Sequence, residues 1–209
     1  METKDIKKIR NERFNKTHDD WGLVSRGENK LKSFNERRKL EKQLKQRVTA
    51  YIVGDDNERD SILMGYRKLR EGVLSNGDKT EYIRIYLDSA HFAVNFGEQK
   101  DYLPILWALY SEKIDYVTSA LALHLTFIEE EYERSFQIVN SADVEKIIQS
   151  WVCGNIFKTY WLLKKLPDYG NIRETAITIV EDNIRKGIIA YRGKEVELYL
   201  SKQFLQWEE

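Results

Sequence analysis

The chain has 209 residues, enough for one domain with an arm and for a substantial core. Apolar residues make up 42% and charged residues 33%, which excludes a disordered tail and indicates a globular body with a heavily charged surface. Net charge is zero but uneven: residues 1–50 carry 15 Lys/Arg and 8 Asp/Glu, a net of +7, and residues 51–209 carry 19 of the 34 basic and 26 of the 34 acidic residues, a net of −7.

Residues 1–53 read as a basic, partly ordered N-terminal arm. Within it, Leu31, Phe34, Leu40, Leu44 and Val48 form a thin helical stripe, interrupted by Arg37, Arg38 and Lys39. That pattern predicts an exposed or partner-dependent helix. A basic arm on an acidic body points to an electrostatic partner, although interspersed Glu and Lys on a solvated helix account for the same charges. Gly54-Asp55-Asp56 is a turn signal.

From Asp60 the periodicity strengthens. Ile62, Tyr66, Leu69 and Val73 make one stripe, ended by Ser75-Asn76-Gly77-Asp78. Ile83, Tyr86, Leu87, Ala90, Ala93 and Val94 make the next, ending at Gly97. Tyr102, Ile105, Leu106, Leu109 and Tyr110 mark a short helix. The segment from Tyr116 to Ile128 is apolar nearly all round and is expected to lie buried in the middle. A helix from Glu131 to Val139 follows. Asp143 reads as the N-cap of one carrying Val144, Ile147, Ile148 and Trp151. Gly154-Asn155 breaks it. Ile156 to Leu166 follows, then a turn at Pro167, Asp168 and Gly170, then a long amphipathic helix from Ile172 to Ile189. Lys194 to Trp207 is a last candidate, with Val196, Tyr199, Leu200 and Phe204 on one side. Short connections make successive helices antiparallel neighbours, and pairs of similar length are the organisation of an α-solenoid.

The residues carry little catalytic chemistry. His18, His91 and His124 are far apart, with no metal-type spacing to Cys, Asp or Glu. His91 and His124 read as structural helix residues. Cys153 reads as a buried, inert thiol; as the single cysteine it excludes an internal disulfide and favours a reducing compartment. There is no GxGxxG, no GxxxxGK[ST] and no G-x-S-x-G. Glu129-Glu130-Glu131 reads as a solvated charge run rather than an acid/base pair. Tyr66, Tyr86 and Trp151, at helical spacing, read as core. No apolar run approaches a membrane span, and the first ten residues lack a signal-peptide core, so an intracellular protein without a membrane partner is expected. No catalytic residue, cofactor, metal or small-molecule substrate is expected.

The functional candidates are basic. Lys186, Arg192 and Lys194 flank the expected turn between the last two helices, and Lys158, Lys164 and Lys165 lie on the preceding pair. Brought together they form a phosphate-binding patch; kept apart they are solvated lysines.

Two blocks carry a family resemblance. Tyr66-Arg-Lys-Leu-Arg-Glu-Gly-Val-Leu, followed by Glu81-Tyr-Ile-Arg-Ile-Tyr-Leu-Asp-Ser-Ala and Gly97-Glu-Gln-Lys-Asp-Tyr, resembles the core of GANP-type PCI proteins. Trp151-Val-Cys-Gly-Asn-Ile-Phe-Lys-Thr-Tyr-Trp-Leu-Leu-Lys-Lys-Leu-Pro, with Ile172-Arg-Glu-Thr-Ala, resembles that family's second block in order and spacing. The likeness spans about residues 60–190. It implies an all-α fold: a TPR-like α-solenoid of antiparallel helix pairs over 54–170, ending in a partial winged-helix, PCI-type subdomain over 171–209. It implies a non-enzymatic scaffold subunit of nuclear mRNA export or transcription-coupled mRNP assembly, nuclear and also cytoplasmic. Its expected partners are a second PCI-fold protein, a small acidic DSS-type protein bound through that partner, and the RNA or DNA backbone. Lys164, Lys165, Lys186, Arg192 and Lys194 are the expected nucleic-acid contacts, and Tyr199, Phe204 and Trp207 the expected partner contacts. A protein-only scaffold of a proteasome-lid or signalosome-like complex shares the fold and is the alternative.

Overall fold

The computed structural model describes residues 30–53, 58–166 and 169–190. Among the described residues every regular element is helical and there is no strand. The α-helices, nine among these residues, are α1 Phe34–Val53, α2 Arg59–Asn76, α3 Lys79–Phe96, α4 Gln99–Leu109, α5 Asp115–Phe127, α6 Tyr132–Ile138, α7 Ala142–Val152, α8 Ile156–Lys165 and α9 Gly170–Ala190. Single 3-10 turns occupy Lys30–Lys32 and Tyr110–Glu112. Helices pack in adjacent pairs: α1 on α2, α4 on α5, α5 on α6, α6 on α7, α7 on α8 and α8 on α9. The winged-helix ending expected over 171–209 falls on α9 and, from 191 onward, outside the described residues.

The chain divides into two compact units, 1–85 and 86–209, with the division inside α3. These lines differ from those expected at 53/54 and 170/171. Helix α1 lies against α2, and α9 lies against both α8 and α5.

In the first unit, α1 buries a narrow line of its thin stripe and leaves Phe34 and Ile52 exposed. Leu40 and Leu44 are buried. Gly65 on α2 admits Leu44, since a Cβ there would lie 3.3 Å from Leu44 Cγ. The charged run that interrupts the stripe is itself divided. Arg37 is buried and grips Glu81 on α3 with two bonds, Nε to Oε1 at 2.9 Å and Nη2 to Oε2 at 2.7 Å. Its Nη1 donates to the carbonyls of Leu31 at 3.0 Å and Lys32 at 2.8 Å, which ties down the 3-10 turn. Arg38 sits over the Phe34 ring and Lys39 pairs with Glu36 at the surface. One turn further along α1, Glu41 receives Lys45 and Arg84. Burial works against its charged form, but the two cations hold its pKa below the ordinary carboxylate value.

The second unit is built around α5. Eleven of its thirteen residues, Val117 to Phe127, are buried, and α4, α6, α7 and α9 all pack on it. The sequence expectation of a helix buried on every side holds here. Two of the hydroxyls carried inward find bonds, Thr118 Oγ1 donating to the Asp115 carbonyl at 3.1 Å and Thr126 Oγ1 to that of Ala122 at 2.8 Å, while the buried Ser119 hydroxyl has no hydrogen-bond partner. Asp143 is not the N-cap of α7; the helix starts two residues earlier than that cap implies, after Ser141, and Asp143 lies in its first turn. A carboxylate there still faces the positive end of the helix. Gly154, at φ 73°, makes the left-handed turn into α8, and the Asn155 side chain caps that helix by accepting from the Lys158 N–H at 3.2 Å.

The Arg37–Glu81 pair generates a stability prediction. Both side chains are almost fully buried, with 3% and 4% exposure, so removing either leaves the other charged and unpaired. Arg37→Ala is expected to cost about 3–5 kcal/mol, and the double change Arg37→Met with Glu81→Leu to recover most of it. Urea unfolding of the three proteins measures this; a single-variant loss below about 1 kcal/mol would show that the pair is not buried in solution.

Candidate nucleic-acid interface

Helix α8 reads IFKTYWLLKK, with three lysines and no acidic residue. It buries fully only Thr159 and Leu163. Ile156, Phe157, Tyr160, Trp161 and Leu162 are half-buried, and Lys158, Lys164 and Lys165 are exposed. The spacing makes neighbours of residues four apart. The Lys165 ammonium lies 3.5 Å above the centre of the Trp161 ring, and that of Lys164 lies 5.3 Å from the Tyr160 ring. Such contacts hold a cation at an aromatic face by the ring quadrupole. Lysines in a last turn also complement the negative end of the helix, so Lys164 and Lys165 stabilise α8 whatever else they do. The α9 carboxylate of Glu181 acts on Tyr160. Burial first, then Glu181, pushes the Tyr160 hydroxyl pKa up, while Lys164 pulls it down.

The expected basic residues are only partly brought together. Lys158, Lys164 and Lys165 share α8. Lys186 is exposed on α9, well within the helix rather than at a turn. Sixteen residues separate it from Gly170, which at 1.5 Å per residue is about 24 Å along α9 from the end beside Lys164 and Lys165. Lys186 is therefore distant along α9 from Lys164 and Lys165, the two lysines at the end of α8. Arg192, Lys194, Tyr199, Phe204 and Trp207 lie outside the described residues. Sequence reasoning found the α8 lysines but missed the aromatic rings between them. The available signal was the absence of any acid from Ile156 to Lys165, together with the i,i+4 pairs Tyr160–Lys164 and Trp161–Lys165.

A second cluster has the outline of a catalytic relay. His124 Nδ1 is 3.0 Å from the Tyr102 hydroxyl, and its Nε2 is 3.2 Å from Glu129 Oε1. Gln99 Nε2 donates to the same carboxylate oxygen at 2.7 Å. Because Glu129 accepts, Nε2 carries the imidazole proton and Nδ1 accepts from the tyrosine. His124 has 0% exposure and Tyr102 4%, so a substrate cannot reach the hydroxyl end. The relay instead ties α4 to α5 and to the turn after it, where Glu130 takes a left-handed φ of 58°. His124 is thus the structural histidine expected, while Glu129 is more than part of a solvated run. A shallow depression of about 450 Å³ beside it is lined by Glu98, Gln99, Lys100, Leu103 and Pro104 and offers no nucleophile next to a base. No group of three His, Cys, Asp or Glu side chains suited to a metal occurs among the described residues, and no helix there is long and apolar enough to cross a membrane.

Two further expectations change. Cys153 is exposed, not buried, because α7 ends at Val152 and the Gly154 turn carries the thiol off its apolar stripe. Trp151 is half-buried, with its ring 5.2 Å from that of Phe127, whereas Tyr66 and Tyr86 are core.

The relay sets a pH window. Burial pushes the His124 pKa below its ordinary value, with Glu129 pulling the other way. The unfolded chain then takes up the proton more readily, so this contribution to stability is present above about pH 6.5 and is lost as pH falls below it. Burial, aided by the Glu129 charge, raises the Tyr102 pKa to about 12, so its contribution is present below about pH 10 and is lost as pH rises toward 12. Urea midpoints across pH 5 to 11 are expected to show a plateau bounded on both sides, with the acid edge flattened by His124→Gln. An unchanged acid edge in that variant would count against the buried neutral imidazole. Native Cys153 is expected to react with one equivalent of a thiol reagent without denaturant; a protected thiol would contradict its exposure. In comparisons with known proteins, no family model, no curated protein and no solved structure matches the chain.

Proposed function

We propose that this chain is a non-enzymatic scaffold of the GANP-type PCI kind, built on a TPR-like stack that ends in a partial winged helix. It acts in nuclear mRNA export or transcription-coupled mRNP assembly. It pairs with a second PCI-fold subunit, which carries a small acidic DSS-type protein, and it contacts nucleic-acid phosphates. The observation that carries the nucleic-acid part is the acid-free sequence of α8, on which Lys158, Lys164 and Lys165 are all exposed. Lysines spaced along one helix supply salt-dependent, sequence-independent contacts to a phosphate backbone, each releasing counterions. The pairing of adjacent helices and the two sequence blocks over about residues 60–190 support the scaffold part.

One observation favours the protein-only reading. On α6, Tyr132 and Phe136 are exposed four residues apart, and the Arg134 guanidinium lies 4.5 Å from the centre of the Trp107 ring. Tyr, Trp and Arg are the residues that dominate protein interfaces.

Purification of the tagged full-length chain from its own cells, with and without nuclease, separates the two. Recovery of a PCI-fold partner, together with mRNP proteins that nuclease removes, is expected. Recovery of lid or signalosome subunits untouched by nuclease would transfer the proposal to the protein-only scaffold. In vitro, replacing Lys158, Lys164 and Lys165 by Gln is expected to lower the slope of log affinity against log salt by roughly 3. An unchanged slope would remove α8 from the interface.

A further inference from the structure

We infer that α8 takes a single-stranded nucleic acid, with unstacked bases lying on the row Phe157–Trp161 and the Lys165 ammonium exchanging the Trp161 ring for a phosphate. The inference rests on the nucleic-acid reading of α8 given above and adds which form of nucleic acid the face selects.

A face that only neutralises phosphates needs lysines and nothing else. Here aromatic rings lie between them. Phe157, Trp161 and Lys165 follow at intervals of four, one row along the helix, and both rings are half-buried. Members of that row are about 6 Å apart along the axis, at 1.5 Å per residue. A duplex strand advances by about 3.4 Å per nucleotide and keeps its bases inside the stack, so it offers such a row only its phosphates. A single strand can splay its bases outward and lay them on aromatic rings. Charge complementarity selects the polyanion: the helix has three exposed lysines and no carboxylate of its own.

Lys165 gives the row its occupied state. Its ammonium stands 3.5 Å over the Trp161 ring in the unliganded chain. A base reaching that ring displaces the cation. The displaced ammonium is then free to meet a backbone phosphate of the ligand. Ring and cation are thus separated by the ligand and each meets its own part of it, the indole the base and the ammonium the phosphate.

The test compares a fluorescent single-stranded RNA oligonucleotide with a blunt duplex of the same sequence, by anisotropy with the full chain over a salt series. The single strand is expected to bind at least tenfold more tightly. Trp161→Ala is expected to weaken single-strand binding by about 5- to 160-fold, the range that follows from loss of one stacked base, while leaving duplex binding and the salt slope unchanged. Trp161→Phe, which keeps a ring, is expected to restore most of the affinity and serves if the alanine variant fails to fold. Equal binding of single strand and duplex, both with a steep salt slope, would overturn stacking and leave the phosphate-contacting reading in place. Absence of binding to either would overturn both. A heparin fragment of equal charge competing as well as the single strand would show that the lysines act alone, and the inference would fall.

Discussion

A helix buried on every side cannot be stable until every side has a neighbour, and α5 places that demand on the second unit. Its sequence has no polar face to turn to water. Leaving any flank open would expose Val117, Leu121, Leu123 or Leu125, each buried here and each worth about 1.5–3 kcal/mol on burial. The positions of α4, α6, α7 and α9 answer this one requirement. So does the chemistry within it. Thr118 and Thr126 return their hydroxyls to the carbonyls of their own helix. His124 cannot do so, and it therefore needs groups from outside: Tyr102 from α4 and Glu129 from the following turn. The relay is the consequence of putting an imidazole where α5 allows no water. Its two bonds fix α4 and the left-handed turn at Glu130 against the buried helix.

The first unit meets the same difficulty with charge. A buried arginine alone would be prohibitive, but Arg37 finds acceptors for Nε, Nη1 and Nη2 within one 3-10 turn and one carboxylate. Two parallel bonds to Glu81 fix geometry as well as charge, because the guanidinium fork accepts a carboxylate in few orientations. A leucine at position 37 would bury as readily but would leave the 3-10 turn and α3 without that directional tie. The charged pair thus contributes register between α1 and α3 more than it contributes net stability.

These arrangements explain which parts were legible in the sequence. Helix positions were, because each apolar stripe carries its period and Asn76-Gly77 and Gly154-Asn155 carry turn chemistry. The burial of α5 was, because apolar residues on all faces admit no other reading. The burial of Arg37 was not. Arg37 looks like an interruption until Glu81, 44 positions away, is brought against it, and no local pattern encodes that meeting. Cys153 and Trp151 show a different limit. Both continue the stripe of α7 on paper, but the stripe loses its cover where the helix ends, and the exposed thiol lies just past that point. The basic candidates were legible as charges but not as a group, since spacing along a sequence does not give the distance between Lys186 and Lys165 once both are on rigid helices.

The face of α8 follows from how little that helix buries. Only Thr159 and Leu163 are fully covered, so its place depends on its ends: Asn155 caps the first turn, and Leu166, also buried, anchors the last. Its three lysines are exposed and can change without the core repacking. On α5 any substitution is a substitution in the core, and the same ring or cation there would be fixed by its neighbours. Core packing and exposed charge fall to different helices: α5 is buried from Val117 to Phe127, and α8 exposes Lys158, Lys164 and Lys165.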